Sequence, residues 1–200
     1  KTGFFRDANG GLYYSDGSGA MVGNPGWNVI GGKWYWMNSN GSIYSGWLSR
    51  PSGWYYLNPG NGDMATGWTT IGGTRYYMNQ DGAMVEGWSQ QNGTWYYLKP
   101  GSGNIATGWL KLGATWYYLA SDGKMLTGFQ NIGGSKYYLN TGSGAMAVGW
   151  LQLGSVKLHL LGIYSYLIGV LFFICFFYIV FCVTESLFPE ISIVLTQLWR

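Results

Sequence analysis

The chain has 200 residues, a formal net charge of +3, and only 10% charged against 19% aromatic residues, with 34 glycines. That ring content excludes simple disorder, the lack of a three-residue glycine period excludes collagen, and the scattered basic residues give no electrostatic footprint for nucleic acid. Both cysteines, Cys175 and Cys182, fall in the last part of the chain, so neither disulfides nor cysteine-ligated metal hold the stretch before them together.

The chain starts Lys1-Thr2-Gly3-Phe4-Phe5, already inside a repeat-like segment and without a signal peptide. On this reading it is the C-terminal piece of something longer, and any catalytic module lies upstream. Residues 1–26 form a degenerate first repeat, in which Phe5, Leu12, Tyr13 and Tyr14 hold the register. From there a Gly-ring pair recurs at Trp27, Trp47, Trp68, Trp88, Trp109, Phe129 and Trp150, with gaps alternating between 20 and 21 residues. A fixed period of this size predicts an array in which each unit buries its apolar face only against its neighbours.

Within a unit, the run that begins at the Gly-ring pair is followed by a turn and a second aromatic run. With the first ring as position 0, the second cluster lies at +7, +8 and +9, as in Trp54-Tyr55-Tyr56 and Trp95-Tyr96-Tyr97. Two short aromatic-rich runs around a Gly-containing turn predict a β-hairpin, and one hairpin alone is marginal in water, so the hairpins must stack. Side chains alternate along a strand, so +7 and +9 share one face and +8 takes the other. An apolar residue closes each unit: Ile43, Met64, Met84, Ile105, Met125 and Met146. The expected fold is an all-β solenoid of stacked hairpins over residues 27–154, followed by an apolar, potentially helical tail at 155–200.

The pattern Gly-Trp, then Gly-x-Trp-Tyr-Tyr-Leu, then Gly-x-Met-x-Thr-Gly-Trp resembles the choline-binding repeats of Gram-positive cell-wall proteins. It is carried by Gly67-Trp68 to Gly87-Trp88 and Gly108-Trp109 to Gly128-Phe129, among others. The resemblance implies a left-handed superhelix and binding of phosphocholine on teichoic or lipoteichoic acid between consecutive hairpins. It implies an extracellular module on the cell wall of a Gram-positive bacterium, with no cofactor and no catalytic residues of its own. The chemistry is consistent: a quaternary ammonium donates no hydrogen bond and is held by ring faces in an aromatic cage.

The expected cage walls are Trp27/Trp34, Trp47/Trp54, Trp88/Trp95 and Trp109/Trp116, with two rings from one hairpin and a third from the next. Tyr56, Tyr77, Tyr118 and Tyr138, at +9, are the geometric choice for the third ring. Met64, Met84 and Met125 are candidate cage floors. The plain alternative is that the rings are solenoid core, which is the favoured role for tyrosine at +8. Position +7 departs from Trp at Leu12, Arg75 and Lys136, each three repeats apart. The expectation is that one side of the superhelix lacks choline sites, because a cation there repels the ligand; otherwise Arg75 and Lys136 lie along ring faces with their heads in water.

Catalysis is hard to assemble from this sequence. The only His is His159, and Asp7, Asp16, Asp63, Asp81, Glu86 and Asp122 sit mostly beside turn glycines. Asn61-Gly62-Asp63 is read as a plain turn rather than a calcium contact.

At Trp150 an eighth hairpin begins, but +7 to +9 read Lys157, Leu158 and His159. Residues 160–183 carry no charge and are long enough to span a bilayer as a helix. The preferred reading is out-of-frame translation after residue 154, because register is lost in mid-hairpin and Glu185 and Glu190 replace a basic stop cluster. Membrane contact through 160–183 and a dimer are the further partners left open. The rival functions are a glucan-binding module, a host-glycan adhesin and a structural spacer.

Overall fold

The computed structural model describes residues 2–153 and 156–160, and every regular element in them is a β-strand. The strands form two-stranded antiparallel hairpins. In chain order these are Gly3–Arg6 with Leu12–Ser15, Gly26–Ile30 with Lys33–Met37, Gly46–Arg50 with Gly53–Leu57, and Gly67–Ile71 with Thr74–Met78. They continue as Gly87–Gln91 with Thr94–Leu98, Gly108–Leu112 with Thr115–Leu119, Gly128–Ile132 with Ser135–Leu139, and Gly149–Leu153 with Val156–Leu160. The chain divides into two compact units, Lys1–Leu126 with the first six hairpins and Thr127–Arg200 with the last two.

Most hairpins turn through two residues. In the fifth, Asn92 and Gly93 have φ of 49° and 78°, the left-handed pair that lets a two-residue loop match the strand twist. Register is then constant: position 0 faces +9 across the ladder, as Trp47 faces Tyr56 and Trp88 faces Tyr97.

Within the first unit, two backbone hydrogen bonds stitch each closing segment into the stack. Its apolar residue donates to the +7 carbonyl of the preceding hairpin: Met64 to Trp34 at 2.8 Å, Met84 to Trp54 at 2.7 Å and Ile105 to Arg75 at 2.9 Å. The next residue donates to the +9 carbonyl of its own hairpin, as Ala65 does to Tyr56 at 2.8 Å. Position +7 is therefore held by its backbone, which explains why Leu12 and Arg75 keep the stack while changing the side chain.

The most deeply buried part of the core is the column at +10. Leu57, Met78, Leu98 and Leu119 are wholly buried in the first unit, and Leu139 in the second. Each such side chain contributes about 1.5–3 kcal/mol through removal from water. The +10 residue bridges the closing residue of its own unit, as Leu57 does with Met64 and Leu98 with Ile105. Closing turns also press on each other. A Cβ at Gly82 would collide with Met64 Sδ, and one at Gly103 with Met84 Sδ, so only glycine permits that approach.

Two sequence readings of the fold are corrected. In the first hairpin the register is Gly3↔Ser15, Phe4↔Tyr14 and Phe5↔Tyr13. Phe4, not Phe5, therefore takes the position-0 role, and its ring lies 5.2 Å from Tyr35 of the next hairpin. A one-residue slip reverses both faces of a strand, and the longer turn at Asp7–Gly11 hides that slip from a count along the chain. Asp7 Oδ1 holds this turn by accepting from the amides of Asn9 and Gly11, at 2.9 and 2.7 Å. At the other end, the sequence reading stops the repeats at residue 154. The second strand of the eighth hairpin instead pairs in the standard register, Gly149↔Leu160 and Trp150↔His159. The ladder is made by backbone groups, so losing Trp-Tyr-Tyr does not abolish it. Of the apolar span expected at 160–183, Leu160 ends this strand, and the remainder, with the rest of the tail, lies outside the described residues.

Candidate functional site

The constant register gives each hairpin two unlike faces. Rings at 0, +7 and +9 share one face, and +8 takes the other. In the first unit, one hairpin's three-ring face meets the +8 face of the next. Tyr55 and Leu48 of the third hairpin are buried at 7% exposure, and Trp27, Trp36 and Met64 pack against them. Stacking thus brings the +8 tyrosine of one hairpin to the position-0 ring of the hairpin before it.

The result is a recurring ring set. Trp47 lies 6.4 Å from Trp54 at 85° and 5.0 Å from Tyr76 of the next hairpin. Trp88 lies 6.4 Å from Trp95 at 89° and 4.9 Å from Tyr117. Trp27 lies 6.3 Å from Trp34 at 89° and 5.1 Å from Tyr55. Perpendicular indoles present walls from different directions, which is what a compact cation needs to touch several ring faces. The +7 ring of these three sets stays open to solvent, with Trp34 at 46%, Trp54 at 45% and Trp95 at 39% exposure. These +7 rings are not core.

The fourth hairpin breaks the set. Trp68 meets Tyr96 at 4.7 Å as its neighbours meet theirs, but +7 is Arg75. The Arg75 guanidinium carbon sits 4.0 Å from the centroid of the Trp68 ring, and its Nη1 donates to the Asp122 carbonyl at 3.1 Å. A second guanidinium, of Arg50, lies 3.6 Å over Trp36.

Polar groups near the rings are few. Asp63 is buried, and its carboxylate accepts from Lys33 Nζ at 2.5 Å and Asn58 Nδ2 at 2.6 Å. Burial pushes the Asp63 carboxyl up, but the bonds from Lys33 and Asn58 and the Lys33 charge outweigh it and hold the group below the ordinary carboxylate value. The same partnership raises Lys33. An open cavity of about 570 Å³ adjoins Trp34 and is lined by Lys33, Asn58, Asp63, Met64 and Gln80 among others. Elsewhere carboxylates are engaged locally: Asp16 with the Ser18 hydroxyl at 2.6 Å and Asp122 with Lys124 at 2.8 Å. Among the described residues no group of three His, Cys, Asp or Glu side chains is placed to hold a metal ion.

A family model of the choline-binding repeat matches residues 24–67, 65–107 and 106–149, and a model of the cell wall binding repeat matches residues 2–21. The chain belongs to the choline-binding repeat family. Repeats of this family are binding modules of surface-associated Gram-positive proteins. Among solved structures, the chain is similar to CbpJ of Streptococcus pneumoniae, at 37% identity and a TM-score of 0.69, covering 76% of this chain and 55% of that one. It is similar to choline binding protein F of S. pneumoniae, at 39% identity and a TM-score of 0.63, covering 74% and 48%. The same protein F crystallised in the presence of a tetrasaccharide-pentapeptide peptidoglycan analogue matches at 36% identity and a TM-score of 0.67, covering 76% and 54%. This chain therefore spans about half the length of the solved relatives it matches. No curated protein matches it by sequence.

Set against the expected cages, the repeats bring together the pairs Trp27/Trp34, Trp47/Trp54 and Trp88/Trp95 as open walls. The fourth expected pair, Trp109/Trp116, is also brought together. Trp116 does stand perpendicular to Trp109, at 6.1 Å and 90°, but it differs from the other +7 rings in being half-buried rather than open. Its ring also carries a cation of the chain's own: Lys111 Nζ lies 5.5 Å from the Trp116 centroid, within the range of cation–π attraction. The residue opposite it in the ladder also differs. Trp116 faces Lys111, whereas Trp34, Trp54 and Trp95 face the uncharged Val29, Ser49 and Gln90. Trp116 is thus the most covered of the four +7 indoles, with Lys111 beside it.

The third ring also differs from the sequence choice. Tyr56, Tyr77 and Tyr118 lie on the position-0 rings of their own hairpins, Trp47, Trp68 and Trp109, each at 5.0–5.1 Å. Tyr138 lies in the second unit, 4.8 Å from Phe129. The ring that reaches back to the preceding hairpin is +8. Alternation assigns +8 to the opposite face, and only the stacking of hairpins turns that face toward a neighbour's rings. Met64, Met84 and Met125 are half-buried, and Met64 lines the cavity beside Trp34.

Proposed function

We propose that this chain is a non-catalytic wall-binding module that takes phosphocholine of teichoic or lipoteichoic acid into its open ring sets. It thereby anchors an attached domain to the outer surface of a Gram-positive cell. The observation that carries the reading is the set Trp47, Trp54 and Tyr76: perpendicular indoles, a third ring from the next hairpin, and an outer wall 45% exposed. No carboxylate is needed to bind a quaternary ammonium in such a site, because the ring quadrupoles supply the attraction. Family membership and the likeness to protein F crystallised in the presence of a peptidoglycan analogue support a wall partner. Several sites on one chain give avidity, since later sites engage at high effective concentration. Residues 1–26 serve as an entry repeat and 27 onward as the binding repeats.

The cavity beside Trp34 favours a second reading. Lys33, Asn58 and Gln80 around an exposed indole supply the hydrogen-bonding groups and platform that a sugar requires, as in a glucan-binding module. A choline titration of the full chain, read by tryptophan fluorescence and near-ultraviolet dichroism with maltose and dextran as controls, separates the two. Saturation by choline alone supports wall anchoring; a response to dextran without one to choline transfers the protein to the glucan-binding class.

A further inference from the structure

Arg75 occupies the station that Trp54 and Trp95 hold in the neighbouring hairpins. The backbone there is unchanged, since the Arg75 carbonyl accepts from Ile105 at 2.9 Å just as Trp54 accepts from Met84 at 2.7 Å. Only the side chain differs, and it does not extend freely into water. It folds back so that its guanidinium lies 4.0 Å from the Trp68 ring centroid. Cations bind ring faces within about 6 Å of the centroid, so this one occupies the seat of a bound ammonium. It is also tethered from the far side. Nη1 donates to the Asp122 carbonyl, 47 residues on, in a closing turn fixed by the Asp122–Lys124 pair at 2.8 Å. Trp68 keeps its other rings, Tyr77 at 5.0 Å and Tyr96 at 4.7 Å.

We propose that Arg75 is the resident ligand of the Trp68 ring set: its guanidinium takes the place of the quaternary ammonium and closes that site to choline. The inference rests on the reading that the open ring sets bind choline. It differs from simple charge repulsion, because a repelled ligand leaves a ring face empty, whereas here the face is already filled. The fourth hairpin then separates the open Trp47/Trp54 and Trp88/Trp95 sets. A multivalent wall polymer must bridge a non-binding repeat between them.

The test uses the full chain labelled at its indole nitrogens, with the Trp68 resonance assigned from Trp68→Phe. Before any ligand, Arg75→Ala is expected to move the Trp68 resonance, because the guanidinium leaves its ring; an unmoved resonance overturns the proposal without touching choline binding elsewhere. On adding choline, the resonances of Trp47, Trp54, Trp88 and Trp95 are expected to shift while Trp68 stays still. Arg75→Trp is expected to make Trp68 respond and to add one bound choline per chain. A wild-type Trp68 that responds with the others overturns the closure alone. Arg75→Trp that folds with wild-type dichroism but binds no additional choline also overturns it. A chain in which no indole responds sinks both the choline reading and this inference.

Discussion

The third and fourth hairpins share a skeleton and differ at one ring. Both carry Trp at position 0, a tyrosine from the next hairpin against it, and a wholly buried residue at +10, Leu57 in one and Met78 in the other. In the third, +7 is Trp54, perpendicular to Trp47 and open to water; in the fourth it is Arg75, folded over Trp68. Fold and binding chemistry are therefore separable in this repeat. The stack depends on +10, the closing residue and backbone bonds, none of which uses the +7 side chain. Ligand capacity is set at +7, where the backbone is held whatever residue is present.

The largest expected effect sharpens that separation from the fold side. Leu57→Ala and Met78→Ala should each cost about 2–5 kcal/mol, whether the hairpin is open or closed, because each deletes a fully buried side chain from the same column. Thermal or denaturant unfolding of the two variants reads this, and a large loss in only one would break the comparison. Next comes Gly82→Ala, which places a Cβ against Met64 at a residue with φ of 81°. It should cost at least about 1–2 kcal/mol from the left-handed backbone alone, again measured by unfolding. Trp54→Ala, in contrast, should cost less stability than either column variant, since nearly half of this wall is already exposed. It should weaken choline at that site by about tenfold, on a cation–π contribution of about 0.5–2 kcal/mol, measured calorimetrically.

The smallest effect is in acid. The Asp63 carboxyl titrates lower folded than unfolded, so the unfolded chain takes up the proton first as pH falls. Its contribution is full above the ordinary value of 3.8 and is lost as pH falls through the lowered folded value. Asp63→Asn should flatten stability against pH in that window and leave the fourth hairpin's ring set unchanged, as acid titration of unfolding would show.

The sequence made the period, the hairpins and the position-0 and +7 rings legible, because a Gly-Trp pair every 20 or 21 residues and strand alternation are both local signals. The +10 column was not legible. Leu98 and Leu119 look like any apolar residue beside Tyr-Tyr, and their burial follows from stacking. The third ring was missed for the same reason: Tyr55 faces away from its own hairpin's rings, and only the fit of one hairpin on another points it at Trp27. Phe4 was missed because a longer turn shifted the count. Trp116 pairs with Trp109 as its station indicates, and the lysine opposite it is a cross-strand neighbour that the ring pattern alone does not weigh. The role of Arg75 was half legible. Its station was plain, but the rotamer that lays it over Trp68 is a tertiary matter.

The most direct measurement is a crystal structure of the full chain soaked in choline. The account predicts a trimethylammonium group among Trp47, Trp54 and Tyr76, another among Trp88, Trp95 and Tyr117, and the Arg75 guanidinium still over Trp68. Empty ring faces in the third and fifth hairpins at saturating choline, or choline seated on Trp68 with Arg75 displaced, would contradict it.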